Sequence, residues 1–291
     1  MLGEFLQYLF SGLTSGAIYA LVGLGFALIY NASHVINFAQ GEFVMLGGMG
    51  TVFIAAAGVP LPLAGLLAVL MATVVGFALE KLAVEQTRNA SVVTLIIITI
   101  GASIFVRGGA QVAFDKQFHT LPSFSGDTPI NILGATVTPQ SLWVLGITVV
   151  IVLLLQYFFT RTLLGKAILA TSHNPMAARL VGINVNAILL MSFGLSAALG
   201  AVAGILITPI TSTNYEVGIM LGLKGFCAAI LGGLGSGFGA IAGGVILGVA
   251  EALGAGYISS EYKDVIAFVI ILAALFFMPS GLFGKRGTDR V

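Results

Sequence analysis

Two ionisable residues stand inside otherwise apolar stretches: Lys224 within 217–231 and Glu251 within 238–257. A charge at bilayer depth is costly, so it is kept where it is paired or has a task. The two stretches run in opposite directions around the Gly-rich turn 232–237, so a lysine stem can reach from one to the other. Two readings stand: an ion pair that fixes helix register, or a gate on a translocation path. Asn37, Gln40 and Glu42 form a second polar group, at the start of the apolar stretch 43–57. Glu42 lies at the inner mouth of a path, or it only favours a helix start, where acids are stabilised. Gly232 and Gly233 belong to the third group, the Gly-rich turns at 41–48 and 232–237. Backbone at such turns can receive a carboxylate without a fixed charge. The competing reading is that these glycines only permit close helix packing.

The run Thr171 to Asn184 has a different kind of signal. Asn174 is a good N-cap and Pro175 suits the first helical position. Met176, Ala177, Ala178, Arg179, Leu180 and Val181 then make a helix of about two turns, and Gly182 can end it in the left-handed conformation. Its Ala-rich, partly apolar surface suits a groove on a soluble partner. The plain alternative is a linker helix lying at the headgroups.

The elements that must position these residues follow from composition. Of 291 residues, 58% are apolar and 8% charged, against about 25% charged in soluble domains. A solvated surface cannot be built from so few charges, which excludes a cytosolic enzyme, a secreted disulfide scaffold and a disordered chain. The net charge of +1 leaves no broad basic footprint for nucleic acid. Glycine, at 39 residues, is nearly double the average usage of about 7% and lets helices approach closely in lipid. The opening residues carry Glu4 and no Lys or Arg, unlike a secretory signal, and 5–10 reads as a retained amphipathic lead-in.

Apolar stretches near 11–30, 43–57, 61–79, 92–112, 142–159, 187–208, 217–231, 238–257 and 265–278 predict an all-α, polytopic transmembrane bundle of eight or nine spans. It forms a single permease domain over 1–291. The stretches 43–57 and 217–231 are short enough to be broken or re-entrant. Polar loops are expected at 31–42, 114–140 and 161–186. With nine crossings and the N-terminus outside, Lys81, Arg88, Arg161, Lys166, Arg179, Lys285, Arg286 and Arg290 fall inside, and Arg107, Lys116 and Lys263 outside. Eight against three satisfies the positive-inside rule and predicts N-out, C-in.

The 174–184 pattern is similar to the coupling loop of ABC importer permeases. More narrowly, the chain resembles the LivH/LivM permease family of branched-chain amino acid importers over essentially its whole length. The markers are the runs 15–21 (SGAIYAL), 36–43 (INFAQGEF), 231–236 (LGGLGS), 260–265 (SEYKDV) and 278–284 (MPSGLFG). Many members carry His where this chain has Gln40, which speaks against a proton relay there. The resemblance implies a multi-pass protein of the bacterial inner membrane, surrounded by lipid, with a LivM-type second permease, two ATPase subunits and a periplasmic amino-acid-binding protein. It implies that Asn174, Pro175, Ala177, Ala178, Arg179 and Gly182 couple the chain to an ATPase. It also implies no cofactor in this chain, with ATP and magnesium bound by the partners. In keeping with that, the sequence has no G-x-x-x-x-G-K-[ST] motif, so the chain is not expected to be an enzyme.

Other readings belong to other classes. A urea or short-amide permease would share the Gly-rich and coupling patterns. An ion-coupled secondary transporter would need intramembrane acids, which are sparse here. A passive channel would need a filter-like stretch. His34, His119 and His173 fall on separate loops, and the lone Cys227 reads as a packing residue, so no metal site is expected.

Overall fold

The computed structural model describes residues 2–87, 90–132, 134–278 and 280–284. Arg88, Lys285, Arg286 and Arg290, four of the basic residues assigned to the inner side, lie outside the described residues, as does Pro279. Eleven α-helices are described: α1 (Leu2–Ser33), α2 (Gln40–Ala56), α3 (Leu61–Leu79), α4 (Val92–Phe114), α5 (Pro139–Arg161), α6 (Leu163–His173), α7 (Pro175–Leu180), α8 (Val185–Thr211), α9 (Val217–Gly232), α10 (Gly237–Tyr257) and α11 (Lys263–Phe277). A helix occupies each of the nine apolar stretches. Six of them, with α3 taken through to Thr87, are long and apolar enough to cross a membrane: α1, α3, α4, α5, α8 and α10. At a rise of about 1.5 Å per residue, the 17 residues of α2 and the 16 of α9 fall short of a core about 30 Å thick.

The helix starts are written in the sequence as caps. Ser91, Thr138, Asn184 and Ser236 each accept a hydrogen bond from a backbone N–H in the first turn of α4, α5, α8 and α10. Helix α1 is the axis of the bundle. It is buried almost continuously from Gly16 to Ile29 and packs on α10, α8, α9 and α5. Helix α2 is enclosed between α8, α3 and α9. The outer helices α3, α4, α5 and α11 leave large apolar side chains uncovered, among them Leu66, Phe105, Leu154 and Phe276. In water such a surface would aggregate; against lipid tails it is the expected one.

Four expectations change. The stretch 31–42 is not a free polar loop: His34 is exposed, but Asn37, Gln40 and Glu42 are buried, and Phe38 N donates to Thr99 Oγ1 of α4 at 3.3 Å. Non-helical backbone at depth is tolerated where protein satisfies its polar groups, and here α4 and the Asn37 side chain supply partners. The glycines at 41–48 are not a turn but the first half of α2; a Cβ on Gly47 would fall 2.1 Å from the Ala201 carbonyl oxygen, so they let α8 close on α2. The stretch 161–186 holds α6 as well as the expected short helix, because Thr162 caps a further helix of 11 residues. Finally, the fold is not wholly helical: 114–140 contains an antiparallel hairpin, β1 (Ile130–Ile132) with β2 (Ala135–Val137).

That loop is fastened to the bundle. His119 and Thr213 exchange backbone hydrogen bonds at 2.8 and 2.7 Å, and Thr136 N donates to Gln7 Oε1 at 2.6 Å. The His119 ring bonds the Asp115 carboxylate at 3.0 Å, which holds that carboxyl below its usual range.

Candidate functional site

The short helix α7 forms as its sequence dictates. Asn174 adopts an extended backbone, and its Oδ1 accepts from Met176 N and Ala177 N, both at 3.0 Å. Pro175 occupies the first turn, where its missing N–H costs nothing. At the other end Gly182 has φ +85°, Ile183 N donates to the Ala178 carbonyl at 3.0 Å and Gly182 N to that of Arg179 at 3.0 Å. This is a Schellman close, which satisfies carbonyls otherwise orphaned at the helix end. Ala178 faces inward against Ala32, Val185 and Leu189. Met176, Leu180 and Val181 face outward, each more than three-quarters exposed. Asn174, Pro175 and Arg179 also line a hollow of about 440 Å³ beside Glu80, Glu85 and the end of α1. A short helix capped at both ends thus presents apolar side chains away from the bundle.

Lys224 and Glu251 come together, with more company than the sequence suggested. Lys224 Nζ lies 2.9 Å from Glu251 Oε1 and 2.6 Å from Asp264 Oδ1. Lys263 Nζ reaches the same Glu251 oxygen at 3.2 Å, and the Tyr19 hydroxyl donates to it at 3.2 Å. Lys224 also stands over the Tyr19 ring, 5.6 Å from its centroid. Two cations and two anions from α9, α10 and α11 therefore sum to zero around a carboxylate that is fully buried. Neutrality lets the cluster persist in a low-dielectric setting, and it ties α1, α9, α10 and α11 at one point.

The polar segment before α2 makes a separate group. Gln40 Nε2 donates to the Ser196 carbonyl at 3.1 Å, and the Ser196 hydroxyl lies 2.6 Å from Gln40 Oε1 and 2.8 Å from the Gly25 carbonyl oxygen. Gln40 thus fastens α2 to α8 and α1, a task for an amide rather than a proton carrier. Glu42 Oε1 accepts from Ser103 Oγ of α4 at 2.7 Å, while Glu42 Oε2 has no hydrogen-bond partner among the described residues. Glu42 and Ser103 line a cleft of about 240 Å³ between α1, α2, α4 and α9, and Arg107 stands on the same wall. Arg107, assigned to the outer side by the charge count although it falls in the apolar stretch 92–112, lies within α4.

Gly232 and Gly233 do not join either group. Gly233 has φ +101°, and the segment 280–284 docks on the turn through Leu282 N to the Leu231 carbonyl at 2.9 Å and Phe283 N to that of Gly232 at 3.0 Å. A Cβ on Gly232 would meet Gly239 backbone at 1.8 Å. The site residues missed from sequence are Tyr19, Asp264 and Lys263 around Glu251, and Ser103 and Arg107 beside Glu42. The charged pair at 263–264 was visible, but its place at the head of α11 required the three-dimensional path. Among the described residues no cluster of His, Cys, Asp or Glu could hold a metal ion.

A bundle with a central buried helix, an apolar periphery and a few neutralised interior charges defines a multi-pass membrane protein. Residues 8–275 match the family described as branched-chain amino acid transport system / permease component, and the chain belongs to that family. It is 35% identical to the high-affinity branched-chain amino acid transport system permease protein LivH of Escherichia coli strain K12, over 99% of this chain and 98% of that protein. The corresponding permease protein BraD of Pseudomonas aeruginosa is 33% identical with the same coverage. Among solved structures, PsaBC from Streptococcus pneumoniae in complex with Fab shares the fold at a TM-score of 0.54 and 15% identity, covering 96% of this chain and 97% of that one.

Proposed function

We propose that this chain is the LivH-type permease subunit of an ATP-driven importer that carries leucine, isoleucine and valine across the bacterial inner membrane. The observation that carries this is full-length similarity to LivH and BraD, both named for branched-chain amino acid transport. The chain is not itself the enzyme. It acts with a LivM-type second permease, two ATPase subunits that bind ATP and magnesium, and a periplasmic amino-acid-binding protein. In this reading α1, α3, α4, α5, α8 and α10 cross outright, the shorter α2, α9 and α11 complete nine passes together with the non-helical segments at their ends, the N-terminus lies outside and α7 on the cytoplasmic side. The capped α7, with Met176, Leu180 and Val181 uncovered, supports coupling to an ATPase groove.

Reconstitution in proteoliposomes tests the reading. Labelled leucine should enter only when both permeases, the ATPases, ATP and the loaded binding protein are all present. Uptake by this chain alone down a proton or sodium gradient would overturn it. A second result is expected at Gly182. Valine there would force a β-branched residue into φ +85°, a strain of about 1–3 kcal/mol at the Schellman close. Gly182→Val should reduce ATPase co-purification and import together, with Gly182→Asn milder because Asn tolerates that region. Unchanged assembly and import in Gly182→Val would remove α7 as the coupling element.

A further inference from the structure

The cleft beside Glu42 contains chemistry that helix packing does not account for. Glu42 is only 2% exposed, one of its oxygens is bonded by Ser103, and the other has no hydrogen-bond partner among the described residues. A buried carboxylate left half-satisfied is costly. The positive end of α2 eases that cost, since Glu42 lies in its first turn, but it supplies no donor to the orphaned oxygen. Arg107 lines the same cleft one helical turn along α4 from Ser103, about 5.4 Å on. Among the described residues it forms no ion pair with Glu42 or any other acid. An acid and a guanidinium thus share one cleft, close enough for the Arg107 charge to act on Glu42 but without an ion pair between them.

The rest of the cleft is apolar. Phe226 packs against Phe26 and Phe38, with ring centroids 5.5 Å apart in each pair, and Ile104 faces the same space. Gly218 and Gly222 line the opening on α9, and their lack of side chains is what lets α9 touch Gly41 of α2. The volume, about 240 Å³, lies below the ~300–1,000 Å³ of drug-sized pockets and on the scale of one small metabolite. Among the described residues, a carboxylate oxygen lacking a donor, a cation lacking an acceptor and an aromatic–aliphatic floor together describe the complement of a zwitterion with a branched apolar side chain.

We propose that this cleft is a transit site for the amino acid: Glu42 Oε2 receives the ammonium group, Arg107 the carboxylate, and Phe26, Phe226 and Ile104 the aliphatic side chain. The proposal rests on the import reading above and gives that reading its own selective step in this chain. The bidentate fork of arginine suits a carboxylate better than a lysine would.

The test uses the complete importer in proteoliposomes. Diazirine-bearing photoleucine, loaded on the binding protein and carried by the wild-type complex with ATP, should label peptides within 100–107 and 219–226. Glu42→Gln and Arg107→Gln should each lower leucine imported per ATP hydrolysed by at least about tenfold, the scale expected for unpairing one partner of a buried charge. Binding-protein-stimulated ATPase activity should persist in both, and Arg107→Lys should recover part of the import. A merely structural role would lower import and ATPase activity together. Active wild-type import with labelling confined to other segments, or an unchanged leucine-to-ATP ratio in both Gln variants, would overturn the cleft and leave the import reading intact. Failure of wild-type import would sink both.

Discussion

Replacing Glu251 with leucine is expected to destabilise the bundle by about 3–5 kcal/mol, the cost of leaving buried charges without their partner. Glu251 Oε1 is the common acceptor of Lys224, Lys263 and Tyr19. Its loss leaves Lys224, only 5% exposed, dependent on Asp264, whose side chain is about half exposed. Lys263 can turn to solvent and loses little. The double replacement Lys224→Met with Glu251→Leu should recover much of the loss, because two matched apolar residues no longer demand desolvated partners. Thermal unfolding of the purified chain in detergent measures this. Additive single and double effects would show that the two side chains act independently. The same variants separate the two functions considered for the pair. If it fixes helix register, import should fall only as far as the amount of folded complex falls. If it gates the path, complex that is fully folded and assembled should cease to import.

Much of this was legible in the residues. Asn174, Pro175 and Gly182 specify α7 completely, because capping, a missing N–H and a positive φ are local demands met by local residue types. The nine apolar stretches each carry a helix, since length and hydropathy are local too. The nearness of Lys224 and Glu251 followed from two stretches joined by one turn. What escaped were contacts made between distant segments. Asp264 reaches Lys224 only because α11 folds back beside α9 and α10. Ser103 and Arg107 meet Glu42 only because α4 packs on the break before α2. The polar stretch 31–42 reads as a loop for the same reason: polarity argues for water, but here the polar groups around Asn37 find partners inside protein. The glycines of 41–48 read as a turn by composition, whereas their use is steric, in the crossing of α2 with α8.

That steric use sets the other large expectation, at Gly248. A Cβ at this position would lie 2.3 Å from Gly16 N, 2.4 Å from Gly16 Cα and 2.5 Å from the Gly12 carbonyl oxygen. All three atoms are backbone of α1, so no side-chain rotation can relieve the overlap and the two helices must part. Overpacking costs about 1–3 kcal/mol where side chains can adjust, and Gly248→Leu should exceed that range because none can. The damage should also spread along the crossing. Tyr19 lies one turn from Gly16 on α1 and Glu251 one turn from Gly248 on α10, so parting the helices stretches the 3.2 Å bond between them. Gly248→Leu and Glu251→Leu should therefore combine sub-additively, since each removes part of what the other removes. The control is Gly101→Leu in α4, where a Cβ meets nothing within 4 Å. There the exchange should be neutral, or stabilising by up to about 1 kcal/mol through helix propensity. Melting temperatures of the two variants in the same detergent decide the matter. Equal shifts would mean that the α1–α10 crossing does not depend on bare glycine backbone, and the high glycine content of the chain would then need another cause.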